Sequence, residues 1–189
     1  MTKIINHTNY ENGIIQTWDN FLLQDNAQYV SKEVEKLKYS YGEADNIDSP
    51  PTGLVAEISN TSLLYTTFFT KLKNIPELNV LKCTRSYVNI FSPNEKAYYH
   101  VDNTEYTALY YPNRDWNIND EGETKFLFTN TNFNSINQDT MVKNYPIIIS
   151  IAPIPNRLVI FKGDIYHTAI SFRNSHRFSL AFKFYKNND

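Results

Sequence analysis

The chain has 189 residues, and its 18 lysine and arginine residues nearly balance 20 aspartate and glutamate residues, for a net charge of −2. This balance excludes the basic surface typical of nucleic-acid binding. A single cysteine excludes an internal disulfide and a cysteine-based zinc site. No apolar run is long enough to span a membrane, and Met1–Asn20 has no signal-peptide core. We therefore expect one cytoplasmic domain without nucleic-acid or membrane partners.

The first third of the chain predicts two helices. Apolar residues recur at steps of three and four over Trp18–Leu37, the pattern of one buried helical face. A second helix is predicted over about Ser62–Leu72. The segment between them, Tyr39–Thr52, is polar and contains Gly42 and two prolines, so we expect a loop. This loop is either a plain connection or a lid over a substrate.

From Asn79 onward, short runs rich in β-branched and aromatic residues are separated by turn residues. Such runs without intervening helices predict an antiparallel sandwich or barrel. The expected fold class is mainly β, with residues 1–78 as a helical cover in the same domain as a β core of residues 79–189. The predicted strands are Val80–Phe91, Glu105–Tyr111, Thr124–Phe128, Pro146–Ile151, Arg157–Phe161, His167–Phe172 and Arg177–Tyr185.

A histidine and an aspartate lie two residues apart at the end of one strand-like run. Side chains two apart in an extended segment point the same way, so His100 and Asp102 share a face. Two histidines and a carboxylate form the facial triad of non-haem Fe(II) oxygenases. We expect the second histidine to be His167, which follows the apolar strand Leu158–Phe161 and a turn. His176 is the competing candidate.

An arginine at the start of the last predicted strand carries a second chemical signal. Its guanidinium offers a fixed fork of donors that matches a carboxylate, and a hydroxyl two residues on faces the same way. A buried Arg177, with Ser179, would anchor the far carboxylate of a keto acid whose other end chelates iron. Arg173 is the alternative anchor, in a turn-like segment.

The pattern formed by His100-x-Asp102, His167 and Arg177-x-Ser179 resembles the Fe(II)- and 2-oxoglutarate-dependent dioxygenases, specifically their prolyl-hydroxylase-like branch (the prolyl 4-hydroxylases). The resemblance covers about Trp18 to Tyr185. It implies a double-stranded β-helix, or jelly roll, with the N-terminal helices packed on one face. Three further segments resemble that branch: Asp19–Leu22, Thr107–Trp116 and Gly122–Phe126.

Carried over to this chain, the resemblance implies a role for each matching residue. The catalytic residues would be His100, Asp102, His167 and Arg177, of which the first three bind Fe(II). Tyr111 would share the far carboxylate of 2-oxoglutarate with Arg177. The other residues expected at the cosubstrate pocket are Ser179, Tyr87, Asn89 and Thr107. Because the loop after the first long strand lacks the family's glycines, the usual tyrosine position is left open among Tyr87, Phe91 and Tyr98.

The resemblance also implies the reaction. Fe(II), 2-oxoglutarate and O2 would hydroxylate a C–H bond with release of succinate and CO2, chemistry that ascorbate would support. Asp102 favours hydroxylation, because related halogenases replace this carboxylate. Thr107–Trp116 indicates a prolyl residue in a peptide or protein as the substrate. The alternatives are a free amino acid or other small metabolite, and a non-catalytic jelly-roll binding module. Oxidative demethylation of nucleic acid is disfavoured, since that branch spaces two arginines differently after the last histidine.

No feature of the sequence predicts an oligomeric state. The many Asn, Ile, Lys and Tyr residues suit an AT-rich genome, such as that of a virus or a small marine bacterium.

Overall fold

The structure is a computed structural model that describes residues 6–10, 15–128 and 147–186. These residues form ten β-strands and two α-helices. The helices are α1 (Gln24–Val34) and α2 (Leu63–Leu72). The strands are β1 (Asn6–Tyr10), β2 (Ile15–Asp19), β3 (Leu54–Glu57), β4 (Lys82–Phe91), β5 (Tyr106–Tyr110), β6 (Thr124–Phe128), β7 (Ile147–Ile151), β8 (Leu158–Lys162), β9 (His167–Ala169) and β10 (Arg177–Tyr185).

The strands form two antiparallel sheets. The larger has seven strands in the order β1-β2-β8-β5-β10-β4-β3, and the smaller has three in the order β7-β6-β9. The chain crosses between the sheets repeatedly, because β5 and β8 lie in the larger sheet while β6, β7 and β9 lie in the smaller one. The mainly β fold class predicted from the sequence is confirmed.

Each face of the larger sheet carries a different set of side chains, because neighbouring residues of a strand point to opposite faces. One face packs under α1 and α2 in a cluster that includes Val88, Ala108, Ile160, Leu180 and Phe182. The other face contributes a second apolar cluster with residues of the smaller sheet. That cluster includes Tyr87, Leu109, Tyr111, Phe126, Phe161 and Ala181.

The helices form where the sequence supplies one apolar face and a start signal. Helix α2 begins after Ser62, whose hydroxyl accepts a hydrogen bond from the backbone N–H of Tyr65 at 3.1 Å. It buries Leu64, Phe68 and Leu72 against the sheet. Neither helix in the described ranges is both long and apolar enough to span a bilayer.

The N-terminal part of the chain differs from the prediction. The helix expected over Trp18–Leu37 begins only at Gln24, because Trp18 lies in β2 and pairs with Leu158 of β8. Strands β1, β2 and β3 were not predicted, so residues 1–78 supply sheet strands as well as a helical cover. A short apolar segment fits either a helical or an extended period, and pairing with a distant strand decides between them.

Asn156 ties the start of the helical cover to the sheet. Its Oδ1 accepts from the backbone N–H of Leu22 at 2.8 Å, and its Nδ2 donates to the carbonyl of Leu22 at 2.9 Å. The hydroxyl of Tyr110 also donates to Oδ1, at 3.1 Å. Asn156 has a φ of 64°, a conformation that asparagine tolerates better than most residues. The side chain thus satisfies three polar groups in the core.

Asn156→Ala should lower the free energy of unfolding by about 2–4 kcal/mol, because it leaves both backbone groups of Leu22 buried without partners. Urea denaturation followed by circular dichroism measures this loss. The control, Asn174→Ala, removes an exposed hydrogen bond to Asp120 and should change stability by less than about 0.5 kcal/mol. A loss below about 1 kcal/mol for Asn156→Ala would contradict the role of this clamp.

Candidate metal and cosubstrate site

Backbone pairing brings the two predicted metal-binding histidines together. The N–H of His100 donates to the carbonyl of His167 at 3.0 Å, and the N–H of His167 donates to the carbonyl of His100 at 2.9 Å. The N–H of Asp102 donates to the carbonyl of Gly163 at 2.8 Å, which fixes the next residues of the same segment. As a result, the candidate ligand atoms of His100, Asp102 and His167 all lie within 4.8 Å of one another.

Each imidazole is oriented by a hydrogen bond from its other nitrogen. Nδ1 of His100 lies 2.9 Å from the carbonyl of Tyr98, and Nδ1 of His167 lies 2.9 Å from the carbonyl of Ile165. A carbonyl oxygen only accepts, so Nδ1 carries the hydrogen and Nε2 of the neutral ring keeps a lone pair. Each Nε2 lies 3.6 Å from a carboxylate oxygen of Asp102. The three donor groups therefore face one point.

The protonation states of His167 and Asp102 suit a divalent metal, whereas at His100 a metal competes with a proton. Burial lowers the pKa of His167 to about 3, so this ring is neutral at neutral pH. Burial alone would raise the pKa of Asp102, but the neighbouring His167, Lys183 and His100 hold it well below its usual value. Burial would lower the pKa of His100, and its hydrogen bond and ion pair with Asp102 outweigh that effect and raise it. Two imidazoles and one carboxylate are a donor set that fits Fe(II).

Arg177 lies in the same cavity as the triad and is only 1% exposed. Its Nε donates to the carbonyl of Gly122 at 2.8 Å, and its Nη2 donates to Oγ1 of Thr124 at 2.9 Å. Within the described ranges, none of the ion pairs involves Arg177. Burial lowers the pKa of its guanidinium. A buried cation whose hydrogen-bond partners are all neutral favours an anionic ligand, because those partners compensate its desolvation poorly.

Gly122 allows the segment just before β6 to approach this arginine. It has a φ of 90°, and a Cβ there would lie 2.1 Å from the ring of Phe172. Any other residue would therefore displace the carbonyl that accepts from Arg177. This close approach gives a structural reason for the glycine that opens the Gly122–Phe126 segment.

The resemblance implied that Tyr111 shares the far carboxylate of 2-oxoglutarate with Arg177. In the structure, Tyr111 packs beside Arg177 and is not among the residues that line the cavity. Its hydroxyl donates to Oγ1 of Thr124 at 2.7 Å, and the Arg177 guanidinium lies 5.4 Å from the centre of its ring. Thr124 lines the cavity and Tyr111 does not. The structure therefore places the hydroxyl of Thr124, which accepts from both Tyr111 and Arg177, in the cavity beside the guanidinium.

The remaining predicted residues line one cavity of about 240 Å³ together with the triad and Arg177. These residues are Ser179, Tyr87, Asn89 and Thr107. Of the three aromatic candidates left open by the sequence, Tyr87 and Phe91 line the cavity, whereas Tyr98 is 43% exposed. Tyr87 is buried, and its hydroxyl has no hydrogen bond to any residue that the structure describes. Its phenol is thus available to a ligand.

Lys183 is a buried site residue that the sequence reasoning missed. It forms an ion pair with Asp102, and its Nζ donates to Oγ1 of Thr107 at 3.3 Å. The signal was present, because Lys183 is in phase with Arg177 and Ser179 on a strand whose side chains alternate.

The Tyr39–Thr52 segment lies over the cavity, and three more missed charges hold it there. Glu43 accepts two hydrogen bonds from Arg85, at 2.8 and 2.7 Å. Oδ2 of Asp45 accepts from the backbone N–H of Tyr98 at 2.8 Å, and its Oδ1 lies 3.6 Å from Nδ1 of His100. These contacts favour a cover over a plain connection. No sequence pattern links Glu43 and Asp45 to the triad, since the contacts are long-range.

The two competing residues of the sequence analysis lie on the surface. His176 is exposed, and its carbonyl accepts from Asn113 at 2.8 Å. Arg173 is exposed and donates to Glu121 at 2.8 Å. Neither residue lines the cavity that contains the triad.

His167→Ala should weaken metal binding by more than about 100-fold, because it removes one of three ligands and leaves two. Anaerobic calorimetry with Fe(II), in the absence of 2-oxoglutarate, measures the change. His176→Ala is the matched control and should leave the affinity unchanged. Equal affinities for the two variants would contradict the assignment of the triad.

The comparisons with known proteins agree with this geometry at the level of the fold. No family model matches the chain, and no curated protein matches its sequence. A Pseudomonas putida prolyl-4-hydroxylase superposes with a TM-score of 0.66 at 14% identity, over 93% of this chain and 94% of that one. A Trichoplax adhaerens prolyl hydroxylase, in complex with a hypoxia inducible factor oxygen degradation domain peptide, gives 0.67 at 17% identity, over 92% and 84%.

A third structure has a different bound molecule. HygX from Streptomyces hygroscopicus, with nickel, 2-oxoglutarate and hygromycin B bound, gives a TM-score of 0.69 at 11% identity, over 93% of this chain and 84% of that one. At identities this low, the three superpositions show a shared fold alone. The chain has the double-stranded β-helix fold of the 2-oxoglutarate- and Fe(II)-dependent oxygenases.

Proposed function

We propose that this protein is a dioxygenase that uses Fe(II) and 2-oxoglutarate to hydroxylate a C–H bond. One observation carries the proposal: a two-histidine, one-carboxylate cluster and a buried arginine, which has no ion-pair partner among the described residues, face the same cavity. The cluster supplies ligands for a divalent metal, and the arginine supplies a site for a carboxylate. Both are needed by a keto acid that chelates a metal at one end and is anchored at the other.

One set of residues would bind the metal, and another would bind the cosubstrate. His100, Asp102 and His167 would hold Fe(II), which together with 2-oxoglutarate supplies the oxidising chemistry that consumes O2 and releases succinate and CO2. Arg177 would bind the far carboxylate, and the Thr124 hydroxyl would donate to it. The neutral His167 ring and ionised Asp102 need no proton loss before metal binding.

The cavity walls exclude water and orient the cosubstrate. Leu109, Phe161 and Ala181 line the cavity with apolar surface next to the polar groups. The phenol of Tyr87, which has no hydrogen bond to a described residue, would add one donor to the cavity, and Arg85 packs 4.2 Å from the centre of its ring. A dry pocket strengthens each charged contact to the cosubstrate.

For the substrate, we propose a prolyl residue in a peptide or protein. The support comes from the Thr107–Trp116 segment and from two prolyl hydroxylases among the similar folds. A free amino acid or other small molecule is the second candidate, favoured by the likeness to HygX, which has hygromycin B bound. The contacts of Glu43 and Asp45 also favour it, because they narrow the mouth of the cavity.

The proposed activity is tested by succinate formation from purified protein, Fe(II), 2-oxoglutarate and O2, with ascorbate present. We expect slow succinate release without substrate, faster release with proline-containing peptides, and none from His167→Ala. Acceleration by free proline or other amino acids, and not by peptides, would favour the small-molecule candidate. Absence of both turnover and 2-oxoglutarate binding would contradict the oxygenase and leave a non-catalytic module.

Arg177→Ala should raise the Kd for 2-oxoglutarate by about 30-fold or more, because the carboxylate loses a buried charged partner. Calorimetry on the Mn(II)-loaded protein measures the Kd, and thermal unfolding checks that the variant is folded. Arg173→Ala is the control and should bind 2-oxoglutarate normally. An unchanged Kd for Arg177→Ala, or an equal loss in Arg173→Ala, would contradict the assigned anchor.

A further inference from the structure

Lys183 is a buried cation beside a metal ligand, and the function proposed above gives it no role. Its side chain is 10% exposed, and its Nζ forms an ion pair with Oδ2 of Asp102. The same Nζ lies 3.3 Å from Oγ1 of Thr107 and 5.7 Å from the centre of the Tyr87 ring. Burying an ammonium group is costly unless its partners are well placed. The contacts of the Lys183 Nζ therefore indicate the function of a lysine at this position.

The two oxygens of Asp102 have different surroundings. Oδ2 accepts a hydrogen bond from the hydroxyl of Thr107 in addition to the ion pair with Lys183. Oδ1 lies 3.6 Å from Nε2 of His100, and no donor other than that ring contacts it among the described residues. Oδ2 lies 3.6 Å from Nε2 of His167, so both oxygens face the imidazoles. Two donors occupy the lone pairs of Oδ2, whereas Oδ1 has neither donor among the described residues and keeps its lone pairs for a metal.

We propose that Lys183, together with Thr107, restricts Asp102 to binding the metal through Oδ1 alone. An octahedral metal with three single-atom protein ligands keeps three open positions, which a chelating keto acid and O2 together require. A carboxylate that bound through both oxygens would leave only two. Lys183 is thus a positioning residue that acts through Asp102. This inference rests on the proposed function, because it concerns the metal in that site.

The arrangement on β10 supports this role over a purely structural one. Arg177, Ser179, Ala181 and Lys183 alternate with the apolar residues of the strand and line the cavity. One strand therefore places the cosubstrate anchor and the carboxylate clamp at fixed spacing. A lysine needed only to balance charge would not require the second donor, Thr107, on the same oxygen.

The test counts the water molecules on Mn(II) bound to the protein without 2-oxoglutarate, by water-proton relaxation. The unaltered protein should show three. Lys183→Met, which keeps the length of the side chain and removes the charge, should show two. It should also bind 2-oxoglutarate to the Mn(II) form about ten-fold or more weakly. Lys186→Met is the control, because Lys186 is exposed and pairs with Glu105 at 2.9 Å; it should keep three waters.

A loss of thermal stability in Lys183→Met with three waters and normal 2-oxoglutarate binding would overturn the proposal, since a structural role alone explains that result. Should Lys183→Met not fold, Thr107→Val decides, because it removes the other donor to Oδ2 and leaves the ion pair. It should lower the water count and the 2-oxoglutarate affinity, and unchanged values would overturn the proposal.

The outcomes also separate this inference from the proposed function. If the unaltered protein binds Mn(II) at the triad and 2-oxoglutarate displaces two waters, the proposed function stands whatever the Lys183 variants show. If the unaltered protein binds no Mn(II), the proposed function and the role of Lys183 both fail.

Discussion

Two backbone hydrogen bonds between His100 and His167 join the segment that connects β4 and β5 to the first residue of β9. These residues are far apart in sequence and belong to different parts of the double-stranded β-helix. The bridge sets the distance between the two imidazoles, whose ring centres lie 4.4 Å apart. Asp102 then completes the cluster because it lies two residues after His100 on the same face. Backbone pairing therefore fixes the positions of the candidate ligand residues, and the geometry of the site depends little on side-chain flexibility.

Asp102 and Arg177 are both buried charged residues of the cavity, but their partners among the described residues differ. Asp102 is compensated by Lys183 and by the neighbouring imidazoles, and this compensation holds its pKa low in spite of burial. Arg177 has only a carbonyl and a hydroxyl as hydrogen-bond partners within the described residues. Buried charges are stable when paired, so the unequal pairing indicates which group awaits an anionic ligand. It also explains why Tyr111 and Thr124 are buried beside Arg177, because they keep its donors in place.

The sequence alone predicted the mainly β fold class and named most of the residues that the structure brings together in the candidate site. His100, Asp102, His167 and Arg177 could be found because strand alternation and residue chemistry restrict each of them locally. The same alternation would have identified Lys183, had it been followed to the end of β10. The contacts of Glu43, Asp45 and Thr124 could not be predicted, since they depend on how loops and sheets meet. Trp18 and Asp19 of β2 were predicted to be helical for the same reason: the pairing of Trp18 with Leu158 of β8 outweighs a local pattern that fits both a helix and a strand.

The most direct test of the account is an anaerobic titration of 2-oxoglutarate into the Fe(II)-loaded protein, followed by visible absorption. A keto acid that chelates Fe(II) produces a charge-transfer band, which reports that metal and cosubstrate share one site. The account predicts a band that saturates at one 2-oxoglutarate per chain and is absent in His167→Ala. Binding of 2-oxoglutarate without such a band, or the same band in His167→Ala, would contradict the assignment of this cavity as the oxygenase site.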